Sequence, residues 1–296
     1  MEVIGLKVAH LSWWLDARGS GIHMTLPPCH RKFLVAGDAA GETIGGRADG
    51  ELVLRVREGR LASTEGWRPL VHPSETWELW RDERGRLVFV APQVSPPPRH
   101  VVVDAGFCGG EVIGEFGANR SAEQATYPLA TLGIKFFLNW LAGYGDVILH
   151  AAGVAIEGRG YCFAGFSGAG KSTLTAALAE TSGCAVLGDD NLVLRYAEGR
   201  FWIYGTPWHQ DPARCSPHGA PLDKLFLLER TARYGVAPCK PLDGVSRLLQ
   251  TAFIPYYRAE AVPAILDRLA LLAGQVPFYT LCYPLGADVL RWIEDA

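Results

Sequence analysis

Gly165-Phe166-Ser167-Gly168-Ala169-Gly170-Lys171-Ser172 is the stretch on which the reading of this chain turns. It satisfies the pattern GxxxxGK[ST], in which glycines let successive backbone N–H groups face a bound phosphate. Its flanks agree with it. The apolar run Tyr161 to Ala164 reads as a short strand before the loop, and Lys171 to Ala179, rich in Ala and Leu, reads as a helix after it. A helix N-terminus adds partial positive charge at the place where phosphate would lie. In this pattern Lys171 reaches the terminal phosphates and the Ser172 hydroxyl ligates Mg²⁺. Gly165, Ser167, Gly168, Ala169, Gly170 and Thr173 complete the candidate phosphate-binding set. The implied cofactors are ATP and Mg²⁺. A glycine-rich turn carrying a solvated lysine is the plain alternative.

Outward from the loop, Val147 to Ile156 reads as a strand, Glu157 to Gly160 as a turn, and Cys184 to Leu187 as a buried strand. That last strand runs into Gly188-Asp189-Asp190. Two adjacent carboxylates downstream of a phosphate loop stand where such folds place a metal-binding acid. In extended backbone they point to opposite sides, so one can face Mg²⁺ and the other a phosphate acceptor. A solvated acidic turn is the competing explanation. Strand, loop, helix and strand in this order are the grammar of an α/β core.

Upstream, Leu129, Leu132, Phe136 and Trp140 fall at helical spacing, with Gly143 and Gly145 as a stop. Before about residue 125 the pattern changes to short apolar or alternating runs, Leu52 to Val56, Leu87 to Val90 and His100 to Asp104. Turn signals such as Ala48-Asp49-Gly50 and Asp82 to Gly85 separate them, and the expectation is antiparallel strands. Pro92 to Arg99 is expected to be a stiff extended connection. The domain expectation is therefore a β-rich part over 1–125 and an α/β phosphate-loop domain over 126–296. Downstream, Leu242 to Leu249 and Val262 to Leu272 read as amphipathic helices packed on the core sheet, and Pro277 to Tyr283 as a closing strand.

Composition limits the remaining classes. The chain has 296 residues, 49% hydrophobic and 20% charged, which fits a folded globular protein. Its 28 Lys and Arg against 31 Asp and Glu give a net charge of -3, against a broad nucleic-acid surface. The most apolar region, Phe136 to Ile156, is interrupted by Asn139, Asp146 and His150, so no membrane span is expected. Glu2, Trp13 and Trp14 with no small-residue cleavage site do not read as a signal peptide. Seven Cys without a CxxC pair fit reduced thiols, and the expected location is cytoplasmic. Cys29-His30 and Cys215 with His218 offer too few ligands for a metal at either place.

The order Leu149-His150-Ala151-Ala152-Gly153-Val154, then Gly165 to Ser172, then Leu187-Gly188-Asp189-Asp190, resembles the HPr serine kinase/phosphorylase family. The nearer resemblance is to HPr kinase-related proteins, which include kinases of lasso peptide precursors. Gly205-Thr206-Pro207-Trp208-His209 and Pro221 to Glu229 extend the likeness, which covers about residues 147 to 230. The fold it implies is an α/β P-loop kinase domain with an HPr kinase/PEP carboxykinase-like core; the β-rich N-terminal region before about residue 125 lies outside the likeness and is read from its strand pattern alone. It implies Asp189 as the general base, Asp190 as a metal contact, His150 beside the phosphates and His209 toward the acceptor. A satisfied strand histidine is the other reading of His150. The second glycine-rich signature of true HPr kinases is absent, and Asp211 and Glu229 are weak substitutes for its acidic metal contact. Thr173 stands where those kinases carry an acid.

The function expected is Mg²⁺-dependent transfer of the ATP γ-phosphate to a hydroxyl, Ser foremost, of a peptide or small protein, such as a ribosomal peptide precursor. A small-molecule alcohol kinase and an ATP-gated binding module without phosphotransfer are the alternatives. Among other cations, Arg195, Arg200, Arg214 and Arg247 are candidates for the transferring phosphate. The resemblance also suggests a homo-oligomer, although no interface is marked in the sequence.

Overall fold

The computed structural model describes residues 1–35, 50–61, 65–71, 76–91, 99–117, 126–209, 211–230, 234–283, 289–294 and 296. The expected proline connection at Pro92 to Pro98, the turn residues Ala48 and Asp49, and the expected boundary at 125 lie outside these residues. Two compact units result, Met1–Trp140 and Leu141–Ala296.

The first unit is built on one eight-stranded sheet. Its strands are β1 (Val3–Val8), β2 (Leu11–Asp16), β3 (Glu51–Glu58), β4 (Arg68–Val71), β5 (Glu78–Arg81), β6 (Leu87–Ala91), β7 (Arg99–Val103) and β8 (Gly110–Gly114), with the single helical turn α1 (Pro28–Arg31) after β2. The spatial order is β1-β2-β3-β8-β7-β6-β5-β4. β1 and β2 close through Ala9 and His10, both at positive φ, the turn geometry that matches strand twist. From β5 to β8 neighbours run antiparallel, as expected. The expectation fails at β3, which is parallel to both β2 and β8. Alternation of side chains fixes which face a strand buries; it carries no information on the direction of the neighbour. β6 is buried along its whole length, because Val88 and Val90 pack with Val102 and Ile113 on one face while Phe89 alternates to the other.

Helix α2 (Leu132–Ala142) follows, starting three residues later than the apolar spacing at Leu129 suggests. Phe136 meets Trp13 edge to face and Phe137 meets it at a tilt, with ring centroids at 6.3 and 5.5 Å. This aromatic packing explains why the first unit continues to Trp140.

The second unit contains β9 (Val147–Ile156), β10 (Arg159–Ala164), α3 (Lys171–Ala179), β11 (Cys184–Gly188), β12 (Asn191–Ala197), β13 (Arg200–Tyr204), β14 (Gly219–Leu228), β15 (Gly235–Cys239), α4 (Pro241–Leu249), β16 (Ala252–Phe253), α5 (Val262–Gln275), β17 (Phe278–Cys282) and α6 (Val289–Glu294). It is a mixed α/β arrangement. β9 and β14 are long enough to serve two sheets each. One sheet runs β16-β9-β12-β13-β14, and the other β11-β9-β10-β14-β17-β15. Because β10 pairs with both β9 and β14, the two sheets wrap around a common core of Leu149, Ala151, Leu194, Ile203, Leu225 and their neighbours. Ile265, Leu269 and Leu272 of α5 and Leu248 of α4 close that core, as the amphipathic pattern predicts. Leu174 and Leu178 of α3 cover the opposite face of the second sheet.

One expectation changes here. The strand at Cys184 is an edge strand with Ala185 exposed, so it is not buried as expected. The strand expected over 277–283 forms at Phe278–Cys282 and lies between β14 and β15. β10, β14 and β17 run parallel side by side, and Phe163, Phe226 and Tyr279 stack in register across them at 5.4 Å spacings. Their carboxyl ends therefore finish next to one another, the place where open α/β sheets present ligand-binding loops.

Candidate active site

His150 marks the point where β9 leaves one sheet and enters the other. Val147 to His150 pair with β12, whereas Ala151 to Ile156 pair with β10. Along one edge of β9, β11 hands over to β12, and the two residues spanning that gap are Asp189 and Asp190. Along the other edge β10 ends at Ala164, opposite Ala151, and the loop starting at Gly165 begins. The amide of Ala151 donates to Asp190 O at 3.1 Å, and the amide of His150 donates to Thr251 O at 2.7 Å. Pairing geometry alone thus brings the glycine-rich loop and the acidic pair to one residue.

The loop is shaped by Gly168 at φ +79° and Gly170 at φ +98°, conformations that L side chains rarely adopt. A Cβ at Gly168 would meet nothing within 4 Å, so the outer side of the loop is open. α3 begins at Lys171, and its first internal bond runs from Leu174 N to Gly170 O at 2.9 Å. The amides of Lys171, Ser172 and Thr173 belong to the first turn and have no acceptor within the helix. Ser172 and Thr173 are exposed, whereas Lys171 is buried.

An ammonium has three N–H donors and no acceptor. Those of Lys171 go to Gly165 O at 2.7 Å, Phe166 O at 3.2 Å and His150 Nε2 at 3.0 Å. Nε2 of His150 is then the acceptor, which leaves the ring proton on Nδ1. That nitrogen faces Asp190 Oδ1 at 2.8 Å, so the imidazole donates to the carboxylate. Asn191 Nδ2 donates to the second oxygen of Asp190 at 2.9 Å. Burial pulls the Lys171 ammonium below its ordinary range, while the charges of Asp190 and Asp189 act against it.

Asp189 turns to a different set of partners. His209 Nδ1 lies 3.4 Å from Oδ1, and Arg214 Nη1 donates to Oδ2 at 2.8 Å. The hydrogen bond from His209 and, against the opposing effect of burial, that from Arg214 hold the carboxyl down at about 2. His209 is buried over Gly188, where a Cβ would come within 3.1 Å of its Nε2. Arg214 also approaches Asp211, at 3.5 Å, which caps the short 3₁₀ turn Pro212–Arg214 through the amide of Ala213. Neither the Arg214 partnership nor the role of Gly188 has a local sequence signal.

The remaining candidates lie elsewhere. Glu229 pairs with Arg247 at 2.8 Å, and Arg247 also donates to Thr280 Oγ1. Arg195 pairs with buried Asp146 at 3.2 Å. Arg200 is exposed at the start of β13. His30 is buried against Tyr127, and burial lowers its imidazole to about 4. Cys215 is buried with its thiol toward Pro212 O. Among the described residues, no three His, Cys, Asp or Glu side chains gather as a metal-binding group. Among them, too, no helix is long and apolar enough to cross a membrane.

No protein-family model matches the chain, and no curated protein matches it. Among solved structures, it is similar to the Hpr(Ser) kinase/phosphatase from Coxiella burnetii, at 13% sequence identity and a TM-score of 0.30. The likeness covers 50% of this chain and 86% of that chain, and is a distant one.

Proposed function

We propose that the second unit is a Mg²⁺-dependent kinase that transfers the γ-phosphate of ATP to a hydroxyl, Ser foremost, of a peptide or small protein. The observation that carries this reading is the meeting of the Gly165–Ser172 loop with Asp189 and Asp190 at His150. A solvated glycine turn has no use for a buried lysine whose three donors are all engaged and whose neighbour is linked to a carboxylate.

The residues present fit a polyphosphate with Mg²⁺. The loop is open at Gly168, and the first-turn amides of α3 have no helical acceptor. Ser172 and Asp190 are the hard oxygen donors that would hold Mg²⁺, an ion that needs only one or two protein oxygens beside those of the phosphates. Bound ATP and Mg²⁺ supply the transferable phosphoryl group and the charge neutralisation that makes it electrophilic. Lys171 adds a positive charge inside the loop. His150 holds that lysine on one side and Asp190 on the other.

Asp189 would accept a hydrogen bond from the acceptor hydroxyl and take its proton as the new oxygen–phosphorus bond forms and the bridging bond to the β-phosphate breaks, releasing ADP. A carboxylate held at about 2 is a weak base, so its main contribution is orientation. Arg214 and His209 keep it ionised and fixed in direction.

The test is incubation of the protein with Mg-ATP and a fractionated cytoplasmic extract, followed by mass spectrometry, with Lys171→Ala as the control. A phosphopeptide formed only by the wild type supports the reading. A phosphorylated metabolite moves the acceptor to a small alcohol. Intact nucleotide binding with no product in any fraction overturns the kinase assignment.

A further inference from the structure

The parallel strands β10, β14 and β17 end side by side, and each end bears on the glycine-rich loop. β10 runs directly into Gly165. One residue past β17, Tyr283 Oη donates to Gly170 O at 2.8 Å. Two residues past β14, Arg230 Nη1 donates to Gly168 O at 3.2 Å. The ladder between β14 and β17 continues to this level through Glu229 N and Leu281 O at 2.9 Å. From the opposite helix, Arg247 pins the same two strands by bonding Glu229 and Thr280. The donors therefore come from strand ends that are themselves fixed.

The loop carbonyls are the relevant acceptors. A backbone that points amides at an anion must point neighbouring carbonyls away from it, and those carbonyls need donors of their own. Gly165 O and Phe166 O have Lys171, Gly168 O has Arg230, and Gly170 O has Tyr283 together with the amide of Leu174. Gly170 is at φ +98°, and a Cβ there would lie 3.0 Å from the Tyr283 hydroxyl. Residue 170 thus leaves room for the hydroxyl that holds it.

We infer that Tyr283 and Arg230 are positioning residues for the loop: by holding the Gly170 and Gly168 carbonyls outward, they fix the amide array that binds a polyphosphate. This rests on the reading of the loop as a phosphate site, given above. Because the two side chains act on the part of the loop that faces phosphate, their effect is the same for ATP and for a polyphosphate without a nucleoside.

The test is equilibrium binding of Mg-ATP and, separately, Mg-tripolyphosphate by calorimetry, with the thermal unfolding midpoint of each unliganded variant measured alongside. Tyr283→Phe keeps the ring and removes the donor; a single hydrogen bond predicts affinity weaker by about five-fold for both probes. Arg230→Ala weakens both by a similar factor, and Arg230→Lys, which keeps a donor, restores most of the loss. The unfolding midpoints of the Arg230 pair stay together, so a purely structural role cannot produce the rescue. Wild-type affinity for both probes in Tyr283→Phe and Arg230→Ala overturns the inference while leaving the phosphate reading intact. A loss confined to ATP also overturns it, since that locates the effect at the nucleoside. A wild type that binds neither probe overturns the phosphate reading itself, and the inference with it.

Discussion

Lys171 and His150 are joined ammonium to imidazole, with Nζ 3.0 Å from Nε2. The contact runs from the start of a helix to the middle of a strand, and it passes on through Nδ1 to Asp190. A side chain that both accepts from Lys171 and donates to Asp190 can take the place of the imidazole. His150→Gln offers a carbonyl and an amide in that role, whereas His150→Ala offers neither. The expected result is transfer activity within about ten-fold of wild type for Gln and a loss on the order of a hundred-fold for Ala. Steady-state phosphotransfer with both variants checks this, and equal activities would refute the bridging role.

Asp189 and Arg214 make a separate prediction, because the arginine touches the proposed base and not the loop. Asp189→Asn is expected to lower kcat by about 10²-fold, since the neutral amide loses the charged acceptor that orients the hydroxyl and cannot take its proton. Arg214→Ala is expected to lower kcat by roughly ten-fold with the KM for ATP unchanged, since the carboxylate loses one of the two basic partners it has among the described residues and keeps His209. A rise in that KM without a fall in kcat would place Arg214 on the nucleotide side instead.

Gly205 stands where two backbone segments meet. A Cβ there would lie 2.1 Å from Ser216 O and 2.3 Å from Leu187 O, and neither backbone can yield without moving β11 or the chain behind it. Gly205→Ala is expected to cost about 3 kcal/mol or more of stability. Urea unfolding of the variant measures it, and a loss under 1 kcal/mol would show that the segments part easily.

Asp146 predicts a pH dependence. It is almost wholly buried, accepts the Tyr196 amide at 3.1 Å, and lies near Arg195 and Arg268. Burial nonetheless raises its carboxyl to about 6, above the ordinary 3.8. Between those values the folded state binds more protons than the unfolded one, so stability falls as pH rises from about 4 to 6 and levels off above. Relative to Asp146→Asn, the wild type should lose on the order of 3 kcal/mol across that window. Denaturant unfolding of both proteins in steps of pH gives the difference directly; a flat difference would remove the effect.

What could be read in the sequence is what is local. The loop, its flanking strand and helix, and the two amphipathic helices depend on spacing within a few residues, and each formed where the pattern places it. Direction of pairing is not local, which is why β3 was expected among antiparallel neighbours and lies among parallel ones. The same holds for the partners of the candidate residues. Gly170 and Tyr283 are 113 positions apart, and Gly168 and Arg230 are 62 apart, so no motif window contains either pair. Asp189 and Asp190 could be picked out together, yet their division between Arg214 and His150 depends on where β9 changes sheets. Burial of Asp146 is likewise a property of the packed core, invisible beside Gly145 in a turn sequence.

That change of sheets has a consequence for how the gene can vary. One residue inserted within Val147–Ile156 would turn every following side chain of the strand to its opposite face. Ahead of His150, such an insertion would break the link between loop and acidic pair in a single step. The same residue added at Glu157-Gly158, where the hairpin turns in solvent, would leave both edges in register. Length variation should therefore be tolerated at one end of this hairpin and lethal to the site at the other.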